Sequence, residues 1–95
     1  MQFPKGLPRE LVSEYLDDCR KGLFALNAAL IASDHERARV FGHQMKATGS
    51  PYGFPSLTGF GAAIEEAAMK KDTPELDRLF DQLEEYLSTV EIAGE

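Results

Sequence analysis

The sequence predicts an all-α domain, an antiparallel up-down-up-down four-helix bundle, on three observations. Apolar residues recur at steps of three and four in four separate stretches, and no stretch shows the period-two alternation of a half-buried strand. The breaks between the stretches are only a few residues long, which favours antiparallel neighbours. The 95 residues fit one domain spanning 1–95, and 43 % apolar with 27 % charged residues is a composition that can bury a core.

Helices are expected over about 8–32, 34–50, 55–71 and 74–91. In the first, Pro8 suits an initial helical position, and Leu11, Tyr15, Cys19, Leu23, Leu26 and Leu30 form an apolar stripe. Gly22 inside that stripe weakens the helix by up to about 1 kcal/mol relative to alanine without breaking it. Ser33-Asp34-His35-Glu36 has the pattern of a capping box, with the serine oxygen and the glutamate side chain satisfying free N–H groups at the start of the second helix. That helix carries Ala38, Phe41, Met45 and Thr48 on one face and is expected to end or bend near Gly49 and Ser50, because Pro51 cannot continue it. Gly53 and Pro55 punctuate a short loop, and the third helix places Leu57, Phe60, Ile64 and Ala68 on its buried side. Thr73 is the expected N-cap of the fourth, followed by Pro74 and the stripe Leu76, Leu79, Phe80, Leu83, Leu87 and Val90. Residues 1–6 and the last few are expected to fray.

Composition narrows the function. Ten Lys and Arg against 16 Asp and Glu give a formal charge of −6, which repels a phosphate backbone, so no nucleic-acid partner is expected. A lone cysteine, Cys19, makes no internal disulfide, which points to a reducing, cytoplasmic setting. The longest nearly apolar run, residues 23–32, is about half of what crosses a bilayer, and the N-terminus lacks the order of a signal peptide, so neither membrane nor export is expected. Met1 and the absence of a long linker favour a freestanding protein over a piece cut from a larger one, and a monomer is expected.

The chemistry centres on a histidine. At 100° per residue His43 stands about 200° from both Phe41 and Met45, nearly opposite the apolar stripe of its own helix. Arg39, His43, Lys46 and Ser50 fall within about 60° of one another, a polar ridge with an imidazole between two cations. The small residues Gly42, Ala47 and Gly49 lie near it, so that a partner is expected to approach the ring closely. Glu65 lies at the edge of the third helix's buried stripe, and Gly61 one turn before it is expected to leave room for a ring. His35 is expected to be a surface residue without a special role, and no carboxylate cluster accompanies the two histidines, so no metal site is expected.

The segment His43-Gln44-Met45-Lys46-Ala47-Thr48-Gly49, with Gly53 ten positions after the histidine and an amphipathic helix beyond, resembles the histidine-containing phosphotransfer domains of bacterial and fungal phosphorelays. Residues 15–30 are similar to the helix preceding the phosphorylated one, and residues 72–87 to the closing helix. The sequence departs from the family at Ala47, where a glycine is usual, and at Pro51, where many members continue their helix. The resemblance implies a phosphocarrier with no kinase or hydrolase activity of its own. His43 is then the phosphoacceptor through Nε2, Lys46 stabilises phosphoryl charge, and Glu65, twenty-two residues on, orients the ring through Nδ1–H. Arg39, Gly42, Ala47 and Ser50 are then partner-binding, the partners being response-regulator receiver domains and a sensor histidine kinase, with Mg²⁺ held by the receiver. Two other classes stay open: a helical adaptor that is never phosphorylated and binds through exposed Phe54, Tyr52 or Leu16, and a structural subunit of an oligomer.

Overall fold

The computed structural model describes residues 8–93, and the fraying expected at the two ends lies outside them. Four helices, α1 (Arg9–Ile31), α2 (His35–Thr48), α3 (Pro55–Met69) and α4 (Thr73–Ala93), account for most of the described residues, and no strand occurs among these. Each helix packs on two others: α1 on α2 and α4, and α3 on α2 and α4. The four thus form a ring around one core, whose centre is filled by Phe54, Leu57, Ile64, Leu76, Phe80 and Leu83. No helix among the described residues is long and apolar enough to cross a membrane.

The two tight turns share one construction, and it moves two expected caps. After α1, Ser33 takes a left-handed conformation (φ 61°), its N–H donates to the Leu30 carbonyl at 3.0 Å and that of Asp34 to the Ala29 carbonyl at 2.8 Å. This closure uses Ser33 to end α1. The N-cap of α2 is consequently Asp34, whose carboxylate accepts from the Arg37 N–H at 3.1 Å, rather than Ser33, and Glu36 pairs with Arg39 instead of completing a capping box. After α3, Lys71 (φ 55°) plays the part of Ser33, and Asp72 caps α4 by accepting from the Glu75 N–H at 3.2 Å. Thr73, the expected cap, is the first residue of α4, and its hydroxyl meets His35 Nε2 at 2.9 Å, so His35 ties the start of α2 to the start of α4. Pro8 likewise sits just outside α1 as its extended N-cap.

In α1 the buried stripe is displaced from the expected one. Leu11 is exposed and Tyr15 half-buried, while Val12 and Leu16 enter the core with Cys19, Leu23 and Leu26. The reason is that α1 contacts α2 and α4 together: Tyr15 turns toward α2, where its hydroxyl bonds that of Thr48 at 2.9 Å and its ring stacks on Tyr52 at 4.2 Å, leaving the next residue to point inward. Gly22 does not interrupt α1, and its missing Cβ makes room for the Phe41 ring. Phe54 (1 % exposed) and Leu16 are core residues, which removes two of the three side chains on which an adaptor surface would have rested, and Tyr52 is half-buried under Tyr15.

Candidate functional site

The site is built across the seam between α2 and α3, and glycine decides how close that seam is. A Cβ on Gly42 would stand 2.6 Å from the Glu65 nitrogen and 2.8 Å from the Gly61 carbonyl oxygen; one on Gly61 would stand 2.6 Å from the Gly42 carbonyl oxygen and collide with the Lys46 backbone. The two backbones therefore touch where neither helix carries a side chain. Gly49 repeats the device against Thr58 and Phe54. Gly42 and Gly49 are buried, so the backbone that approaches them is that of α3 and the segment before it, which corrects the expectation that a docking partner would do so. Gly61 similarly accommodates α2's backbone and not the histidine ring.

This close approach lets one carboxylate span two side chains of α2. Glu65 Oε2 lies 2.9 Å from His43 Nδ1, and Oε1 accepts from Lys46 Nζ at 2.8 Å. The Glu65 side chain is only 15 % exposed, whereas that of His43 is 61 % exposed. Glu65 is held below the ordinary carboxylate pKa, first by the hydrogen bond from Lys46, against which partial burial works, and then by the bond to His43. An ionised carboxylate can only accept, so the shared proton belongs to Nδ1 and, in the neutral ring, the lone pair sits on Nε2. The ring is thus anchored on its inner nitrogen, with most of its surface open to solvent. The arrangement suits a nucleophilic imidazole: fixed tautomer, fixed plane, and a cation one turn away.

No family model, curated protein or solved structure matches the chain.

The remaining candidates divide. Arg39 stands one turn before His43 on the same ridge and is tied to Glu36 through Nε at 2.9 Å. Ala47 and Ser50 are exposed, and Ser50 donates its backbone N–H to the Thr58 hydroxyl at 2.8 Å. That hydroxyl in turn donates to the Lys46 carbonyl at 3.1 Å, so Thr58 secures the last turn of α2 directly behind the lysine. Thr58 escaped sequence reasoning, because a threonine one turn after a loop has many uses and only the contact with Gly49 reveals this one. Among the described residues no group of three or more His, Cys, Asp and Glu side chains is placed to hold a metal ion.

Proposed function

We propose that the chain is a phosphocarrier of the histidine-containing phosphotransfer type, an antiparallel up-down-up-down bundle that shuttles a phosphoryl group between receiver aspartates in the cytoplasm as a monomer. The bundle direction is supported by Tyr15 near the start of α1 bonding Thr48 at the end of α2, and by Ile31 at the end of α1 lining one hollow with Thr73 at the start of α4. The observation that carries the function is the 2.9 Å contact of Glu65 with His43 Nδ1 beside an open ring.

In the proposed step the Nε2 lone pair attacks the phosphorus of a receiver's aspartyl phosphate. An N–P bond forms, the acyl P–O bond breaks, and the aspartate leaves as carboxylate. The ring becomes a cation that keeps its proton on Nδ1, facing the Glu65 carboxylate, which favours that charge. Phosphoryl transfer asks mostly for in-line placement and charge stabilisation. Lys46, paired with Glu65 and still 44 % exposed, can turn its ammonium to the incoming oxygens. Mg²⁺ belongs to the receiver, and a sensor histidine kinase is the ultimate donor; the carrier itself has no kinase or hydrolase machinery.

The test is incubation with phosphorylated receivers. Acid-labile, alkali-stable phosphate is expected on His43, and His43→Gln is expected to abolish it while leaving helicity and melting unchanged, because the ring is mostly exposed. Receiver binding without label would replace the carrier with an adaptor, and a collapsed His43→Gln fold would make the ring structural.

A further inference from the structure

The α1–α4 side of the ring carries a groove that opens outside the core, with the core residues Leu23 and Leu87 on its lining, and that the His43 site does not use. It consists of two hollows that share Asn27: one of about 230 Å³ between Phe24 of α1 and Glu84 and Ser88 of α4, the other of about 350 Å³ between Ile31 of α1 and Thr73 and Asp77 of α4. Its α1 rim is apolar and open. Phe24 is 81 % exposed and Ile31 89 %, more than any other large apolar side chain among the described residues. The two stand seven residues apart, two turns along one face.

The α4 rim is acidic. Asp77, Asp81 and Glu84 fall within about 60° of one another around the helix, and all three are exposed. Glu36, Glu65 and Glu75 each have a cation, in Arg39, Lys46 and Arg78, whereas Asp77, Asp81 and Glu84 have none among the described residues. Arg20, at one end of the groove, is bound to Asp17 at 2.7 Å and so adds little net charge there. An apolar floor with an uncompensated anionic wall selects its occupant by charge.

We propose that this groove is a docking surface for a basic amphipathic helix of another protein. Its apolar side chains seat between Phe24, Ile31 and α4, and its Lys or Arg row faces Asp77, Asp81 and Glu84. On α4 the groove runs fifteen residues on from Thr73 to Ser88, roughly 22 Å, so a partner helix of about four turns, with apolar anchors at i, i+3 or i+4, i+7 and i+11, fills it. A second copy of the chain is a poor occupant. Two molecules of formal charge −6 repel, and Arg37 and Arg39 are already paired with Asp34 and Glu36. The groove involves neither α2 nor α3 and does not rest on the phosphotransfer reading.

The experiment uses the full chain and a synthetic amphipathic peptide of roughly fifteen residues with a leucine stripe and a lysine flank, beside a twin whose lysines are glutamates. By fluorescence anisotropy the lysine peptide is expected to bind with an affinity that falls with salt, and the glutamate twin roughly tenfold or more weaker. Amide shifts should centre on Phe24, Asn27, Ile31, Asp77 and Glu84. The double variant Phe24→Ser with Ile31→Ser alters only exposed side chains and no charge, and should lose roughly tenfold in affinity. Reversing Asp77, Asp81 and Glu84 to lysine should exchange the preference between the twins, and His43→Gln should bind like the parent. Undiminished binding by the double-serine variant would reduce the effect to general attraction by an acidic surface and overturn the proposal. So would equal affinity for the twins, shifts centred elsewhere, or self-association that the double-serine variant abolishes.

Discussion

Gly59 and Gly61 stand two residues apart on α3 and should respond oppositely to the same substitution. A Cβ on Gly59 meets nothing within 4 Å, so Gly59→Ala gains only helix propensity, about 0.5–1 kcal/mol. A Cβ on Gly61 stands 2.6 Å from the Gly42 carbonyl oxygen and 2.8 Å from Lys46 Cα, where relaxed carbon contacts lie at about 3.5–4.0 Å. Both obstacles are backbone and cannot rotate away, so α2 and α3 must part by about 1 Å at that point. Overpacking of this kind costs about 1–3 kcal/mol and outweighs the propensity gain, leaving Gly61→Ala less stable by roughly 1–2 kcal/mol. For a domain of this size each 1 kcal/mol moves Tm by about 4–8 °C, so thermal melts followed by circular dichroism resolve both signs. The same parting would carry the 2.9 Å His43–Glu65 contact beyond hydrogen-bond range unless the side chains follow, which ¹⁵N imidazole shifts report directly. If Gly61→Ala melts at or above the parent, as Gly59→Ala should, the helices do not meet at Gly42 and Gly61 and the account of how Glu65 reaches His43 is wrong.

Three further outcomes follow from the same geometry. Lys46→Ala removes the first cause of Glu65's lowered pKa, so the Glu65 carboxyl should titrate closer to the ordinary value of 4.5 by ¹³C NMR, and phosphotransfer should slow without stopping. The sign is fixed by linkage: a depressed carboxyl stabilises the fold above pH 4.5 and loses that contribution as pH falls through its folded pKa, so the variant should lose it at higher pH than the parent. Glu65→Ala leaves His43 without the acceptor that selects Nδ1–H, and the ring's ¹⁵N shifts should report a mixture of tautomers with a lower labelling rate; an unchanged spectrum would remove Glu65 as the orienting group. At alkaline pH, burial pushes the Cys19 thiol from 9.0 up to about 11 and raises the Tyr15 hydroxyl as well, so the unfolded chain releases these protons first and stability should fall from about pH 9 upward in urea titrations. A flat stability profile from pH 8 to about 10.5 would contradict the burial of both groups.

The helices were legible because each carries its own periodicity. The α4 stripe Leu76, Leu79, Phe80, Leu83, Leu87 and Val90 enters the core as its spacing requires, since one long amphipathic face admits a single orientation. The proximity of His43 and Glu65 was legible only through a family resemblance, because no local rule connects residues on two helices. What escaped was whatever depends on a neighbour. Ser33 and Asp34 are both good caps, and the choice between them is made by how α1 ends. Leu11 and Val12 are both apolar, and the choice is made by Tyr15 finding Thr48 and Tyr52. Gly42 beside an exposed histidine has the same appearance in sequence whether it faces a partner protein or the next helix.

The two sides of the ring differ in the size of the residues that line them. Interaxial distance follows the side chains at the contact. Across α2–α3 the contact is glycine on glycine, the backbones meet, and a glutamate of one helix reaches two side chains of the other at 2.8 and 2.9 Å. Across α1–α4 the large buried residues Leu23 and Leu87 line a hollow that stays open between the outer edges of the two helices. A polar constellation assembled from two helices needs the first spacing, because a carboxylate has only two methylenes to span the gap. A seat for another helix needs the second, because its apolar side chains must enter between the ridges. Changing the residues should therefore change the properties: large side chains at Gly42 and Gly61 would open the seam and disperse His43, Lys46 and Glu65, whereas filling the hollow beside Leu23 and Leu87 would erase the groove without reaching the histidine.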